Sequence, residues 1–351
     1  MPDAAGFAFV GAGSLGLTLA AALAAAGIEA TLLGRPDSSA ALLAAGEIAV
    51  SGALSVRAPV APAPAPAGVV GVTADPASLP DVVGTLFVTK GHQLEAAVGE
   101  LAARRAGSLR RPVSGWVAGM QNGVVKDDVL AAAYGDGRVL AAATVLGARR
   151  AGAGEVMVSG LGTTYFGERA GPAGARVLEA RDAFRAAGIP TEAVDDAASL
   201  LWAKLANAVG IFAVSALSGL PTGELFARPG LVRAYRLLLG EVDAVARAEG
   251  VEIRDHPDLP MRSYLDTDPD ELAARLSART AAARAATGGA SPSYSSMLQD
   301  LMAGRPTERE QIFGDLVRRG RRHGVPTPRA ELARDLIDGL ESGRSPGTGP
   351  G

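Results

Sequence analysis

Over its first two-thirds the chain alternates short apolar runs with amphipathic stretches, the pattern of a parallel sheet wrapped by helices. Phe7–Val10 reads as a strand, Leu15–Ala26 as a helix closed by Gly27, and Ala30–Leu33 as the second strand. A hairpin is expected around Ile48–Val56. The alternating Ala-Pro run Ala61–Ala67 follows; it lacks ladder donors and reads as a stiff surface connector. Further strands are expected at Thr85–Thr89, Val113–Ala118, Val139–Val145, Glu155–Ser159 and Thr163–Gly167. A helix over Ala173–Ala187, ended by Gly188 and Pro190, completes this part.

From about Ala197 the strand pattern stops. Helices are expected over Leu200–Leu217, Leu231–Glu249, Pro269–Ala286, Ser293–Ala303, Glu308–His323 and Arg329–Leu340. The fold class is therefore an α/β Rossmann-type dinucleotide-binding domain, residues 1–195, followed by an all-α C-terminal domain, residues 196–342. The Gly/Ser/Pro-rich tail 343–351 reads as disordered. The apolar stretch Leu205–Leu220, interrupted by Asn207 and Ser215, reads as too short and too polar to span a bilayer. Its Leu205–Leu217 part suits a buried interdomain helix and a homodimer helix equally.

Composition removes several classes of chemistry. With 48% hydrophobic residues and a net charge of −3, nothing draws the chain towards nucleic acid or an anionic membrane. The absence of cysteine excludes disulfides, thiolate catalysis and Cys-ligated metals. His92, His256 and His323 stand far apart without carboxylates at ligand spacing, so no metal site is expected. Met1–Gly6 carries no charged, apolar leader pattern, and a cytoplasmic location is expected. Of 34 lysines and arginines only three are lysine: Lys90, Lys126 and Lys204. An ammonium has a movable pKa, whereas a guanidinium stays protonated and cannot give up a proton near neutral pH. Lys126, beside Asp127 and Asp128, reads as a solvated lysine without a role.

The segment Val10-Gly-Ala-Gly-Ser-Leu-Gly16 places G-x-G-x-x-G between the first strand and the first helix. Gly11 suits a tight turn, Gly13 the close approach of a pyrophosphate, and Gly16 the packing of helix on strand. Ala12, Ser14 and Leu15 complete the expected cofactor loop. The second strand ends Leu33-Gly34-Arg35, with no carboxylate for a ribose 2′-hydroxyl and an arginine placed to hold a 2′-phosphate. NADPH/NADP+ is the expected cofactor, although Asp37 lies close by.

Taken together, the segments resemble the ketopantoate reductase family over nearly the whole chain. The matching pieces are the glycine loop, Phe87-Val-Thr-Lys90, Met120-Gln-Asn-Gly123, Leu201-Trp-Ala-Lys-Leu-Ala206, Ser295-Ser-Met-Leu-Gln-Asp300, Gly304-Arg-Pro-Thr-Glu308 and Gly324-Val-Pro-Thr-Pro328. The resemblance implies hydride transfer from NADPH to a 2-keto acid, with reduction of 2-dehydropantoate (ketopantoate) to pantoate as the expected reaction. Lys204 matches the proton-donating lysine and Glu308 its acidic partner. Asn122 matches a residue orienting substrate and nicotinamide, Ser296 one binding the substrate carboxylate, and Lys90 one lying near cofactor and substrate.

The chain departs from the family pattern at two asparagines expected four and eight residues after the lysine, which are here Ala208 and Phe212, and at Phe313. Asn207 stands three residues after Lys204, on the same helix face. A pocket poorer in hydrogen-bonding groups selects less strongly for a substrate hydroxyl. A bulkier 2-keto acid is therefore an alternative substrate. An imine- or opine-forming reductase and a non-enzymatic NADP-sensing module are further alternatives.

Overall fold

A computed structural model describes residues 6–106, 115–287 and 293–343. The start of the strand expected from Val113 and the tail from 344 lie outside the described residues. The described chain forms two compact units. One comprises residues within 1–121 and 125–197, the other 122–124 with residues from 198 onward.

The first unit is built on strands β1 (Phe7–Val10), β2 (Ala30–Leu33), β3 (Glu47–Gly52), β4 (Val56–Pro62), β5 (Val70–Thr73), β6 (Gly84–Phe87), β7 (Trp116–Gly119), β8 (Val139–Thr144), β9 (Gly147–Arg150), β10 (Glu155–Gly160), β11 (Thr164–Glu168) and β12 (Thr191–Val194). They form one sheet in the order β12-β11-β8-β7-β6-β1-β2-β5-β4-β3-β10-β9. Its centre, β5-β2-β1-β6-β7-β8, is parallel throughout and has the doubly wound dinucleotide-binding order. The order reverses between β1 and β6, so the carboxyl ends of these two strands flank the crevice where open α/β sheets bind ligands. Helices α1 (Ser14–Ala25), α2 (Pro36–Ala45), α3 (Leu94–Ala106), α4 (Val125–Tyr134) and α5 (Ala175–Ala186) complete the unit. The four strands β1, β2, β6 and β7 are buried at every residue, which explains their nearly continuous apolar runs, interrupted by Thr31 in β2 and Thr85 in β6. The edge-to-face contacts of Phe184 on α5 with Phe7 and Phe166 (ring centroids 5.6 and 5.0 Å) pin that helix to the sheet.

The Ala-Pro run differs from the sequence expectation. Its first two residues belong to β4, which pairs Ala61 with Gly71 and Pro62 with Val72, and Ala63 N–H donates to the Val72 carbonyl. Alternating Ala leaves every second N–H free to join a ladder, so the run starts as strand and only later becomes connector.

The second unit holds α6 (Ala197–Ser218, whose first residue groups with the first unit), α7 (Thr222–Leu225), α8 (Pro229–Ala248), α9 (Met261–Asp266), α10 (Pro269–Thr287), α11 (Ser296–Met302), α12 (Asp315–His323) and α13 (Pro328–Ser342). Helix α6 runs 22 residues, starting well before the stretch Leu205–Leu220 read from the sequence, and over that full length is long and apolar enough to cross a membrane by length and composition alone. Most of it, 72% of its apolar window, is buried inside the protein. A ring stacks where α6 meets α8: a Cβ on Gly210 would lie 2.4 Å from Tyr235, so glycine there lets the phenol pack against the α6 backbone. The helix expected from Ser293 starts three residues later, because the Ser295 side chain caps it by accepting from Leu298 N–H. The long helix expected over Glu308–His323 opens as a π-helical turn, Glu310–Gly314, before α12.

Candidate active site

The three motif glycines have different physical reasons. Gly11 has φ +124°, and a Cβ on it would lie 3.0 Å from Thr89 N. A Cβ on Gly16 would come within 2.2 Å of the Gly11 carbonyl oxygen. Both are demanded by backbone packing on backbone. Gly13 is exposed, with an ordinary φ of −81°, and a Cβ there would meet nothing within 4 Å. The protein itself does not require glycine at this position, whereas a closely approaching pyrophosphate would. No side chain caps α1, so its first N–H groups are available to an anion. The loop thus fits a dinucleotide.

Around this loop, Ser14 Oγ donates to the Ala148 carbonyl at 3.3 Å, while Ala12 and Leu15 are half-buried. The approach of Gly34 to the Ala12 methyl brings the end of β2 against the loop. Arg35 follows, exposed, as the residue preceding α2. Arg150 on β9 was not singled out by the sequence. Its guanidinium donates to the carbonyls of Ala12 (3.0 Å) and Gly152 (2.8 Å), which fixes the glycine loop from the far end of the chain segment and adds positive charge there. Nothing in a lone Arg-Arg pair signals such a contact. Arg150→Ala is expected to weaken dinucleotide binding roughly tenfold, the worth of one charge-assisted hydrogen bond. Fluorescence titration checks this, and unchanged affinity would remove Arg150 from the cofactor site.

Lys90 follows β6, half-buried, and starts the short turn Gly91–Gln93. Its path is set by buried Gln121, whose Nε2 donates to the carbonyls of Phe87 and Thr89, each at 3.1 Å. The reading of Lys126 as solvated is corrected. The residue is 1% exposed and its Nζ lies 2.6 Å from Asp127 Oδ1. Burial pushes the Asp127 carboxyl up, against the pull of Lys126 and then Arg169. A charged residue beside two aspartates looks like surface in a sequence, yet adjacent opposite charges can be buried together.

In the second unit, α6 is buried on nearly all sides. Between Ser199 and Ala216 only Leu201, Lys204, Asn207 and Ile211 keep partial exposure, one stripe along the helix. Lys204 and Asn207 therefore share a face. Enough protein crowds the Lys204 ammonium that burial pulls its pKa down to about 8, and the Glu308 carboxylate acts in the opposite direction. Asn207 Oδ1 accepts from the Tyr235 hydroxyl at 3.2 Å, leaving the amide N–H groups as the donors it can offer. Burial pushes the Tyr235 phenol above its ordinary pKa, so it remains a neutral donor.

Ser296 is half-buried and opens α11, while its neighbour Ser295 is buried. The Ser295 and Ser215 hydroxyls are hydrogen-bonded, fastening α11 to the helix of Lys204. Asn122 is half-buried in the short piece of chain that groups with the helices. The following Gly123, at φ +98°, brings backbone so near Gln311 that a Cβ would lie 2.9 Å from its carbonyl oxygen. Ala208, Phe212 and Phe313 are 2%, 7% and 0% exposed and offer no hydrogen bond from those positions.

Residues 7–171 match the family described as Ketopantoate reductase PanE/ApbA, and residues 196–341 match its C-terminal domain. The chain is 30% identical over 273 residues to a 2-dehydropantoate 2-reductase of Caulobacter vibrioides, covering 76% of this chain and 80% of that protein. A crystal structure of 2-dehydropantoate 2-reductase from Geobacter metallireducens superposes with a TM-score of 0.75 at 25% identity, covering 95% of this chain and 99% of that one. D-mandelate dehydrogenase with NADH and anilino(oxo)acetate shares the fold, with a TM-score of 0.73 at 19% identity over 96% of this chain and 98% of that one.

Proposed function

The chain belongs to the ketopantoate reductase family, and from that premise we propose that it reduces 2-dehydropantoate to pantoate with NADPH in the cytoplasm. The observation that carries the proposal is Lys204: an ammonium on the half-open stripe of an otherwise buried helix, with its pKa brought to about 8. A general acid works best when its pKa lies near the operating pH.

The dinucleotide, when bound, supplies the hydride that adds to the keto carbon. Lys204 gives a proton to the carbonyl oxygen, so a C=O becomes a CH–OH and the lysine is left neutral. Its positive charge also stabilises the oxygen as negative charge develops there. Glu308 keeps enough of the lysine protonated to do this, because its carboxylate opposes the effect of burial. Asn207, held by Tyr235, offers amide donors beside the lysine; Asn122 and Ser296 orient the substrate and bind its carboxylate, and Lys90 adds a cation near the phosphate-bearing loop. Gly13 and the α1 terminus receive the pyrophosphate, on a loop whose path Gly11 and Gly16 make possible.

Preference for NADPH over NADH is read from Arg35 and from the lack of an acidic residue at the end of β2. Arg35→Ala is expected to raise KM for NADPH roughly tenfold or more, the worth of a hydrogen bond to a charged phosphate, with little change for NADH. Equal effects on both cofactors would contradict the assignment.

A bulkier 2-keto acid is the second reading, favoured by the apolar Ala208, Phe212 and Phe313. Rates of NADPH oxidation with 2-dehydropantoate and with branched and aromatic 2-keto acids, with and without added amines, separate the possibilities. The proposal expects the highest kcat/KM with 2-dehydropantoate; a higher value with an aromatic keto acid, or turnover only with an amine, would replace it.

A further inference from the structure

Glu308 must be held still to act on Lys204, yet its own segment is irregular. It follows three residues outside any regular element and precedes the π-helical turn Glu310–Gly314. Upstream, Arg305 closes onto Asp300, with its N–H 2.9 Å from the Asp300 carbonyl and its Nε 3.0 Å from the carboxylate. Downstream, the donors converge on one atom. Glu341 Oε2 accepts from Thr307 N–H (3.3 Å), Thr307 Oγ1 (2.7 Å) and Arg309 Nη1 (3.1 Å). Both sequence neighbours of Glu308 are therefore tied to a single carboxylate oxygen in the last turn of α13.

That carboxylate is itself well placed. The first turn of α13 is anchored to α8, because Glu241 accepts from the N–H groups of Arg329 (3.0 Å) and Ala330 (2.9 Å). Ala330, Ala333 and Ile337 bury the helix along its length. Asp338, one turn before Glu341, pairs with the same Arg309. Thr307 and Glu308 are 4% and 6% exposed, so removing the acceptor would leave buried Thr307 donors unpaired and push the segment to rearrange.

We propose that Glu341 is a positioning residue: by clamping Thr307 and Arg309 it fixes the Glu308 carboxylate that faces the Lys204 charge. The proposal rests on the reading of Lys204 as the proton donor, but its test does not depend on turnover. Because the chain has only three lysines, ¹³C-labelled lysine gives few side-chain NMR signals, and Lys204→Arg assigns the one that matters.

The full-length protein is titrated as wild type, Glu341→Ala, Glu341→Gln, Thr307→Val and Glu308→Gln. Glu308→Gln is expected to lower the Lys204 midpoint by about one unit, the effect of losing a nearby opposite charge. Glu341→Ala is expected to move it the same way and to lower kcat roughly tenfold or more through misplacement of the carboxylate. Glu341→Gln, which keeps an acceptor for Thr307, restores most of both. Thr307→Val, which removes one donor without disturbing α13, gives a smaller shift in the same direction. A Lys204 midpoint unmoved in both Glu341→Ala and Thr307→Val overturns the proposal, whatever happens to activity. A midpoint that moves in a protein inactive on every keto acid sustains the clamp and refutes the reaction instead.

Discussion

Lys204→Ala is expected to lower kcat by roughly two to four orders of magnitude, the contribution of a positioned general acid, while leaving NADPH affinity near that of the wild type. The loss falls on kcat because the ammonium is needed most as negative charge develops on the carbonyl oxygen. Lys204→Met, of similar length and apolar, tests the charge without opening a cavity in α6. Lys204→Arg should rescue little, since a guanidinium keeps its proton at the pH of the reaction. Steady-state rates together with cofactor titration check the split. A variant with full activity would show that the proton comes from elsewhere, and a variant that loses cofactor binding would mark Lys204 as a structural residue.

The second large effect is expected at the glycine loop. Gly13→Val should abolish dinucleotide binding, weakening it at least about a hundredfold, without changing the melting temperature. Gly13 has an extended backbone that valine adopts readily, and its Cβ would touch no protein atom within 4 Å. The valine would instead occupy the space into which the pyrophosphate comes. Gly16→Ala should behave in the opposite way, since its Cβ would lie 2.2 Å from the Gly11 carbonyl oxygen and the α1–β1 packing would have to open. It should lower the melting temperature as well as affinity. Calorimetry and fluorescence titration of both variants separate the two roles; a destabilised Gly13→Val would refute the distinction.

The parallel centre of the sheet was legible because strands buried on both faces leave nearly continuous apolar runs, as in Phe7–Val10 and, with one threonine, Ala30–Leu33. Helices α2, α3 and α4 carry no pattern in the sequence that marks each individually. In α4 the cause is the buried Lys126–Asp127 pair, which reads as a polar surface when the pairing is unseen. The Ala-Pro run misled because the sequence does not say which of its alternating N–H groups faces a neighbouring strand. In the helical unit, helices were legible but their starts were not: a serine cap delays α11, and a π-helical turn interrupts the helix expected from Glu308.

The candidate site divides along the same line. Lys204 and Asn207 were placed on one face by spacing alone, and the half-open stripe of α6 has them there. Residues that act by holding others left no mark in the sequence. Arg150, Gln121, Tyr235 and Glu341 each work through a few hydrogen bonds to residues far along the chain, and no periodicity records such contacts. Lys126 shows the converse: it is one of only three lysines, but its burial is explained by its own ion pair.

The most direct measurement is the pH dependence of kcat for 2-dehydropantoate reduction by NADPH, in wild type and in Lys204→Ala. If Lys204 delivers the proton, its burial-lowered pKa requires wild-type kcat to hold below about pH 8 and fall above it, as the ammonium deprotonates. The small residual rate of Lys204→Ala should lack that descent. A wild-type profile flat through this range, or the same descent retained without Lys204, would contradict the assignment of Lys204 as the acid.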